Sequence, residues 1–309
     1  MDAFVWALNF EKSICYLIFL LFVIFNFSNE PFRWWLLFRG KTTLKYKEWF
    51  GLFNITALFS YLLPKFGFPL RLYFIHTKTG LNFNHISSGI LVDSLVGYTT
   101  WIAVAGISLV LLITTGGNSS NFQAKTFYFQ ARKFLPALII LILLLAILYV
   151  VIRLSRKTNF LKKLHDTLKE IQSKQILLLT LVTLLDIAFQ IGRHNTLVWA
   201  FGCEVSVLNV SIVAIISCLF GMLSFMPMGL GGYDVTLIFG LTQLSVPLHI
   251  ATLVVVTNRA ASFLVCFMLG LYGASSLGIQ WWNFSYYKKI AMKSAKELPQ
   301  ERSATQNNQ

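Results

Sequence analysis

Long, nearly unbroken apolar runs constrain this chain more than any other feature. The stretches 14–27, 86–114, 134–152, 176–201, 205–226 and 249–276 are apolar almost throughout. Crossing the hydrocarbon core of a bilayer takes about 20 apolar residues in a helix. Backbone groups in lipid find no water, so a helix, which satisfies them internally, is the spanning form such runs adopt. The expectation is an all-α, polytopic transmembrane helix bundle with about 6–8 spans. Only 12% of the 309 residues are charged, roughly half the share in a soluble domain.

The first run follows Lys12 and resembles a signal peptide, but Ser28, Asn29, Glu30 and Pro31 follow it with no small-x-small cleavage site. It reads as a retained membrane helix. A single membrane domain is expected over 1–284, with a polar, largely disordered cytoplasmic tail over 285–309. Between Arg153 and Lys174, Phe160, Leu161, Leu164, Leu168 and Ile171 recur at helical spacing opposite Lys and Arg. That segment reads either as an amphipathic surface helix or as a polar connector.

The net charge of +14 comes largely from three clusters, Arg33 to Lys47, Arg153 to Lys174 and Lys288 to Lys296. Basic clusters flanking spans are what the positive-inside bias produces, so they place these segments and the C-terminus in the cytoplasm. No nucleic-acid partner is needed to explain them. The scattered cysteines (Cys15, Cys203, Cys218, Cys266) and isolated histidines (His76, His85, His165, His194, His249) show no metal-ligand spacing. Neither a metal nor another cofactor is expected, and no HExxH, P-loop or GxSxG motif is present.

Two segments break the apolar pattern. In SFMPMGLGGYD (Ser224–Asp234), Pro227 removes a backbone donor while Gly229, Gly231 and Gly232 permit conformations that a helix does not use. Asp234 is placed to cap a short helix, VTLIFGLTQL, about half as long as the hydrocarbon core is thick. Pro247 then ends that piece and starts the next span. In SYLLPKFGFPLR (Ser60–Arg71), Pro64 and Gly67 close a similar short piece. Broken or re-entrant half-helices are therefore expected at 49–71 and 227–246, with the N-terminus outside.

The two breaks share a layout. Pro64 precedes Arg71 by seven positions, as Pro227 precedes Asp234. Arg71 is followed by Asp93 in the next span, and Asp234 by Arg259, with the charge signs exchanged. Interrupted segments at corresponding positions of two halves point to a transporter-type site; chance placement of common helix breakers is the competing account. Ionisable residues inside spans usually face protein or a water-filled cavity, and Asp93, Asp186, Arg193, Glu204, Asp234 and Arg259 qualify. For each, a helix-to-helix salt bridge is the plain alternative. Arginine also suits phosphate, through its planar fork.

YLLPKFGFPLRLYFI and PMGLGGYDVTLIFGLTQLSVPLHIATLVVVTNRAASF resemble the lysylphosphatidylglycerol synthase transmembrane-region family, flippase-like integral membrane proteins. The second motif is a proline, a glycine-rich turn, an acid, a short helix, a proline, then an arginine in the next span. Here these are Pro227, Gly229, Gly231, Asp234, Pro247 and Arg259. Where the family usually has glutamate, this chain has Asp234, and Ser94 follows Asp93 where arginine is frequent, which leaves the early-span pairing open. The chain ends about 30 residues after its last span, so the soluble aminoacyl-transferring domain of the synthases is not expected.

The resemblance implies movement of a lipid, or lipid-linked headgroup, between leaflets of the bacterial inner membrane. The substrate expected is an anionic phospholipid or a polyprenyl-phosphate-linked lipid. Substrate binding falls to Arg71, Asp93, Gly229, Gly231, Asp234 and Arg259, with Arg71 and Arg259 on phosphate and, before substrate binds, Asp93 paired with Arg71 and Asp234 with Arg259. Pro64, Gly67, Pro227, Gly232 and Pro247 make the breaks. Two alternatives stand beside it: an accessory subunit partnering an envelope-biosynthesis enzyme, and a lipid-modifying transferase, against which no clustered carboxylates appear.

Overall fold

The computed structural model describes residues 10–62, 67–116, 173–223 and 231–278. Eight helices appear among them: α1 (Phe10–Phe38), α2 (Tyr46–Leu62), α3 (Gly67–Thr79), α4 (Phe83–Gly116), α5 (Ser173–Ala200), α6 (Val207–Leu223), α7 (Gly232–Gln243) and α8 (Leu248–Leu277). The described residues form no strand, only an isolated bridge between Arg39 and Thr42. The all-helical expectation holds. The expected span at 134–152, the segment Arg153–Lys174 and the 285–309 tail lie outside the described residues.

Among the described residues, four helices are long and apolar enough to cross a membrane, over Lys12–Phe38, His85–Ser108, Lys174–Ala200 and Leu248–Leu277. Their outward side chains are large and apolar, for example Leu17, Leu21, Leu177, Leu181, Leu264 and Met268. In water such a surface would drive association; in lipid it costs nothing. α2, α3 and α7 are shorter. With 12 residues, α7 runs about 18 Å, well under the hydrocarbon thickness.

The chain divides into two compact units. One comprises Met1–Asn26 and Leu95–Ala261, the other Phe27–Ser94 and Ser262–Gln309. In the first, α6 packs against both α5 and α7. Trp101 and Ala105 of α4, Ile187 of α5, and Ile215 and Leu219 of α6 form a buried apolar cluster. Gly240 lets α7 approach closely, because a Cβ there would collide with the Val213 side chain of α6.

In the second unit, α2 packs against α3. An aromatic cluster joins α1 to α2: Phe38 stacks on Trp49 at 5.6 Å and Trp34 meets Phe53 at 4.9 Å between ring centroids. The C-terminal half of α8 touches α2 backbone to backbone at Gly273 and Gly51, where a Cβ on Gly273 would strike the Gly51 carbonyl. Small residues at a close crossing are what packing in lipid selects, since apolar side chains gain nothing there by leaving the solvent.

Candidate functional site

The break before α7 is built by backbone conformation first. Gly231 has φ of 84°, a value that glycine alone adopts without strain. It turns the chain so that α7 starts at Gly232, three residues earlier than the sequence suggested. Asp234 therefore occupies the third helical position rather than the cap itself. Its Oδ2 reaches back to accept the Gly231 N–H at 3.2 Å, which satisfies one of the donors every helix start leaves over. The carboxylate also lies at the positive end of the helix dipole.

The other oxygen, Oδ1, accepts from Arg259 Nε on α8 at 2.9 Å. The Arg259 guanidinium lies over the Tyr233 ring, 4.9 Å from its centroid, where the ring's negative face attracts it. The expected Asp234–Arg259 pairing is thus present, with side chains 21% and 25% exposed. Enclosed, but not sealed, the pair stands at the mouth of a half-length helix.

Tyr233 carries the second tie. Its hydroxyl accepts from Asn258 Nδ2 at 2.9 Å and meets His194 Nε2 of α5 at 2.5 Å. The other ring nitrogen, Nδ1, faces the Gln190 carbonyl. A carbonyl only accepts, so Nδ1 carries the proton, Nε2 is the acceptor, and the tyrosine donates to it. The chain of bonds runs Asn258 to Tyr233 to His194 to Gln190, with His194 neutral. Adjacent residues of α7, Tyr233 and Asp234, thereby engage adjacent residues of α8, Asn258 and Arg259.

The layer extends along α5. Asn195 donates to Ser211 Oγ of α6 at 3.1 Å. Asp186 accepts from Asn26 of α1 at 2.7 Å. Arg193 is 8% exposed and its Nε has no hydrogen-bond partner among the described residues. Glu204 lies exposed in the turn between α5 and α6, outside any span. At the C-terminal end of α7, Ser245 adopts φ of 68°. The Val246 N–H returns to Leu241 and the Ser245 N–H to Thr242, the double bond pattern that closes helices with a left-handed residue. Pro247 follows, and its carbonyl accepts the Ala251 N–H at the start of α8.

In the second unit, Arg71 of α3 takes a different partner from the one expected. Its Nη1 donates to Glu30 of α1 at 2.6 Å, and its Nε to Thr56 of α2 at 3.2 Å. The guanidinium lies 4.2 Å from the Phe53 ring centroid. Asp93 of α4 pairs instead with Arg33 of α1 at 2.6 Å, with both side chains nearly buried, 12% and 14% exposed. Arg33 also donates to the Asp93 carbonyl at 3.1 Å. The physical reason is that α1 continues eleven residues past Phe27, carrying Glu30 and Arg33 to where Arg71 and Asp93 need counter-charges. Arg33, which the sequence groups with the cytoplasmic basic cluster Arg33 to Lys47, is an interior residue.

Gly67 begins α3, and Gly232 begins α7. Pro64, Pro227 and Gly229 lie outside the described residues. Tyr233, His194, Asn258, Glu30 and Arg33 were not singled out from sequence. One signal was available: Tyr233 precedes Asn258 by the same 25 positions that separate Asp234 from Arg259, so one pair predicts the other. Among the described residues no group of His, Cys, Asp or Glu is arranged to hold a metal ion.

No curated protein and no solved structure matches the chain. Residues 5–270, most of the 309, match the family described as Lysylphosphatidylglycerol synthase TM region. This multi-pass membrane chain, with its glycine turn, half-length helix and Asp–Arg pair, belongs to that family.

Proposed function

We propose that the protein is a lipid translocator. It moves an anionic phospholipid or polyprenyl-phosphate-linked lipid between leaflets of the bacterial inner membrane, without covalent chemistry. The observation that carries this reading is the Asp234–Arg259 pair at the first turn of a half-length helix, between apolar spans. Charge inside a span is costly and is kept where a polar group must be received. In the empty state, Asp234 holds Arg259 and Glu30 holds Arg71. A phosphate at either arginine displaces its carboxylate, and at Arg259 the first turn of α7 adds backbone donors for the phosphate oxygens. Gly231, with no Cβ, lets the backbone approach the headgroup.

The basic clusters face the cytoplasm on this reading, and so does the C-terminus. A cysteine introduced at Ser294 would then react with an impermeant thiol reagent only in inverted membranes.

The central test is reconstitution in proteoliposomes with trace fluorescent phospholipids and a polyprenyl-phosphate lipid, probed with an impermeant quencher. Wild type should make the inner-leaflet probe accessible, and Asp234→Asn and Arg259→Gln should slow this at least about tenfold while remaining folded, the loss expected for one charge-assisted contact. No movement of any lipid by folded wild type would remove the reading. The field would then pass to an accessory subunit of an envelope-biosynthesis enzyme.

A further inference from the structure

Arg193 is the one guanidinium of the first unit's polar layer for which the described residues supply neither an ion pair nor a hydrogen bond. Its flanking neighbours are engaged: His194 by Tyr233 and Gln190, Gly192 against the Phe22 ring, Asn195 by Ser211. Arg193 itself is 8% exposed, and its buried Nε points at no acceptor. The nearby carboxylates are in use, Asp234 by Arg259 and the Gly231 N–H, Asp186 by Asn26.

A buried, unpaired cation is among the costliest groups a protein can carry. Arginine cannot escape by losing its proton. What a fold keeps at such cost receives something of opposite charge. The surroundings define what. Arg193 lies within electrostatic reach of Cys218 of α6 and Tyr233 of α7, and Arg259 acts on the same two side chains. Two guanidiniums thus act on the same two side chains, Tyr233 in the first turn of α7 and Cys218 on α6. One guanidinium is committed to Asp234 and the other is uncommitted.

We infer that Arg193 is the seat of an oxyanion subsite, built to take a phosphate group by the fork of its guanidinium, with Arg259 as the second cation. The planar fork matches two phosphate oxygens at once, and a second cation offsets the remaining charge. This deepens the translocator reading and rests on it for the lipid as the phosphate's source; free phosphate carries the same chemistry. On that reading Arg193 holds the phosphate of the headgroup.

The test uses the full chain in dodecylmaltoside micelles, wild type against Arg193→Met and Arg193→Lys, with thermal unfolding as the readout. The probes are dihexanoyl phosphatidylglycerol, dihexanoylglycerol without the phosphate, and inorganic phosphate. Dihexanoyl phosphatidylglycerol should raise the wild-type melting temperature, and the phosphate-free lipid should not. Arg193→Met should weaken that response by about 10- to 100-fold in the concentration needed, as expected for losing hydrogen bonds to a charged group. Arg193→Lys, a point charge without the fork, should fall between them.

Without any probe, Arg193→Met should melt at or above wild type, because it removes a charge that the empty protein leaves unpaired. A purely structural arginine gives the opposite result, a variant that melts well below wild type or fails to fold, and this outcome overturns the inference. An unchanged phosphatidylglycerol response in Arg193→Met overturns it too. A response to inorganic phosphate as large as that to the lipid supports the subsite with free phosphate as its ligand. Lipid movement in proteoliposomes separates the two readings. Binding that depends on Arg193 without movement keeps the subsite and removes translocation, whereas movement that survives Arg193→Met removes the subsite and keeps translocation.

Discussion

Replacing Tyr233 by phenylalanine removes one oxygen and nothing else, so it isolates what the hydrogen-bond chain contributes to seating the half-helix. That oxygen accepts from Asn258 Nδ2 at 2.9 Å and donates to His194 Nε2. His194 is fully buried and Asn258 is 3% exposed, so the two atoms left behind gain no water. In a water-soluble protein each orphaned group costs about 1–3 kcal/mol. In a bilayer the unfolded reference still finds partners, and interhelical bonds average about 0.6 kcal/mol with a maximum near 1.7. Two bonds in a closed site therefore give an expected loss of about 1–3 kcal/mol. The measurement is reversible unfolding by SDS in mixed micelles, followed by tryptophan fluorescence. Asn258→Leu and the double variant complete a cycle, with an expected coupling of about 1 kcal/mol. If Tyr233→Phe costs less than about 0.5 kcal/mol and the two changes add, the hydroxyl does not hold α7 in place and the reasoning fails.

Gly231→Ala places a Cβ on a residue at φ 84°; the space around it is open, so backbone strain alone sets the loss at about 1–2 kcal/mol in the same titration, and no loss would mean the turn is not held as described. Gly273→Ala should be worse, because its Cβ meets the Gly51 backbone, which cannot rotate away as a side chain would; a loss of about 1–3 kcal/mol or poor folding is expected, and a neutral result would refute the close crossing of α2 and α8. Removing one partner of the Arg33–Asp93 pair, as in Asp93→Leu, should cost about 3–5 kcal/mol, whereas Arg33→Met with Asp93→Leu together should come close to wild type. A double variant that loses the sum of the two single losses would show that the pair's charges do not depend on each other.

Length and hydropathy made the long helices legible, because lipid enforces internal hydrogen bonding and leaves helix length as the readable variable. Breaks were legible too, since proline and glycine act locally. The Asp234–Arg259 pair could be read because it joins consecutive elements. Arg71 with Glu30, and Arg33 with Asp93, are 41 and 60 positions apart, and nothing local announces them. Ending the first span at Phe27 hid both, since Glu30 and Pro31 look like a terminus. Yet α1 runs on through Pro31 to Phe38, and neighbouring helices can compensate for the donor that proline lacks. His194 was passed over because an isolated histidine suggests no metal; its role is that of a neutral acceptor, which leaves no spacing signature.

The three ion pairs are not equivalent, and their exposure separates two kinds of work. A ligand that displaces a carboxylate must leave that carboxylate somewhere tolerable, and a less enclosed carboxylate has more room to move aside. Glu30 is 49% exposed, Asp234 21% and Asp93 14%. Both Arg71 and Arg259 also rest on an aromatic face, which keeps part of their stabilisation when the carboxylate departs. Arg33, whose second contact is the Asp93 carbonyl itself, stays tied to the same residue. On the proposed reading, Arg71 and Arg259 are therefore the exchangeable cations, each on a carboxylate that can yield, and Arg33–Asp93 is a fixed brace. Each exchangeable arginine meets a short helix, α3 or α7, next to a break in the chain. On that reading, displacing Glu30 or Asp234 loosens the very element that the pair seats, which would couple headgroup binding to movement.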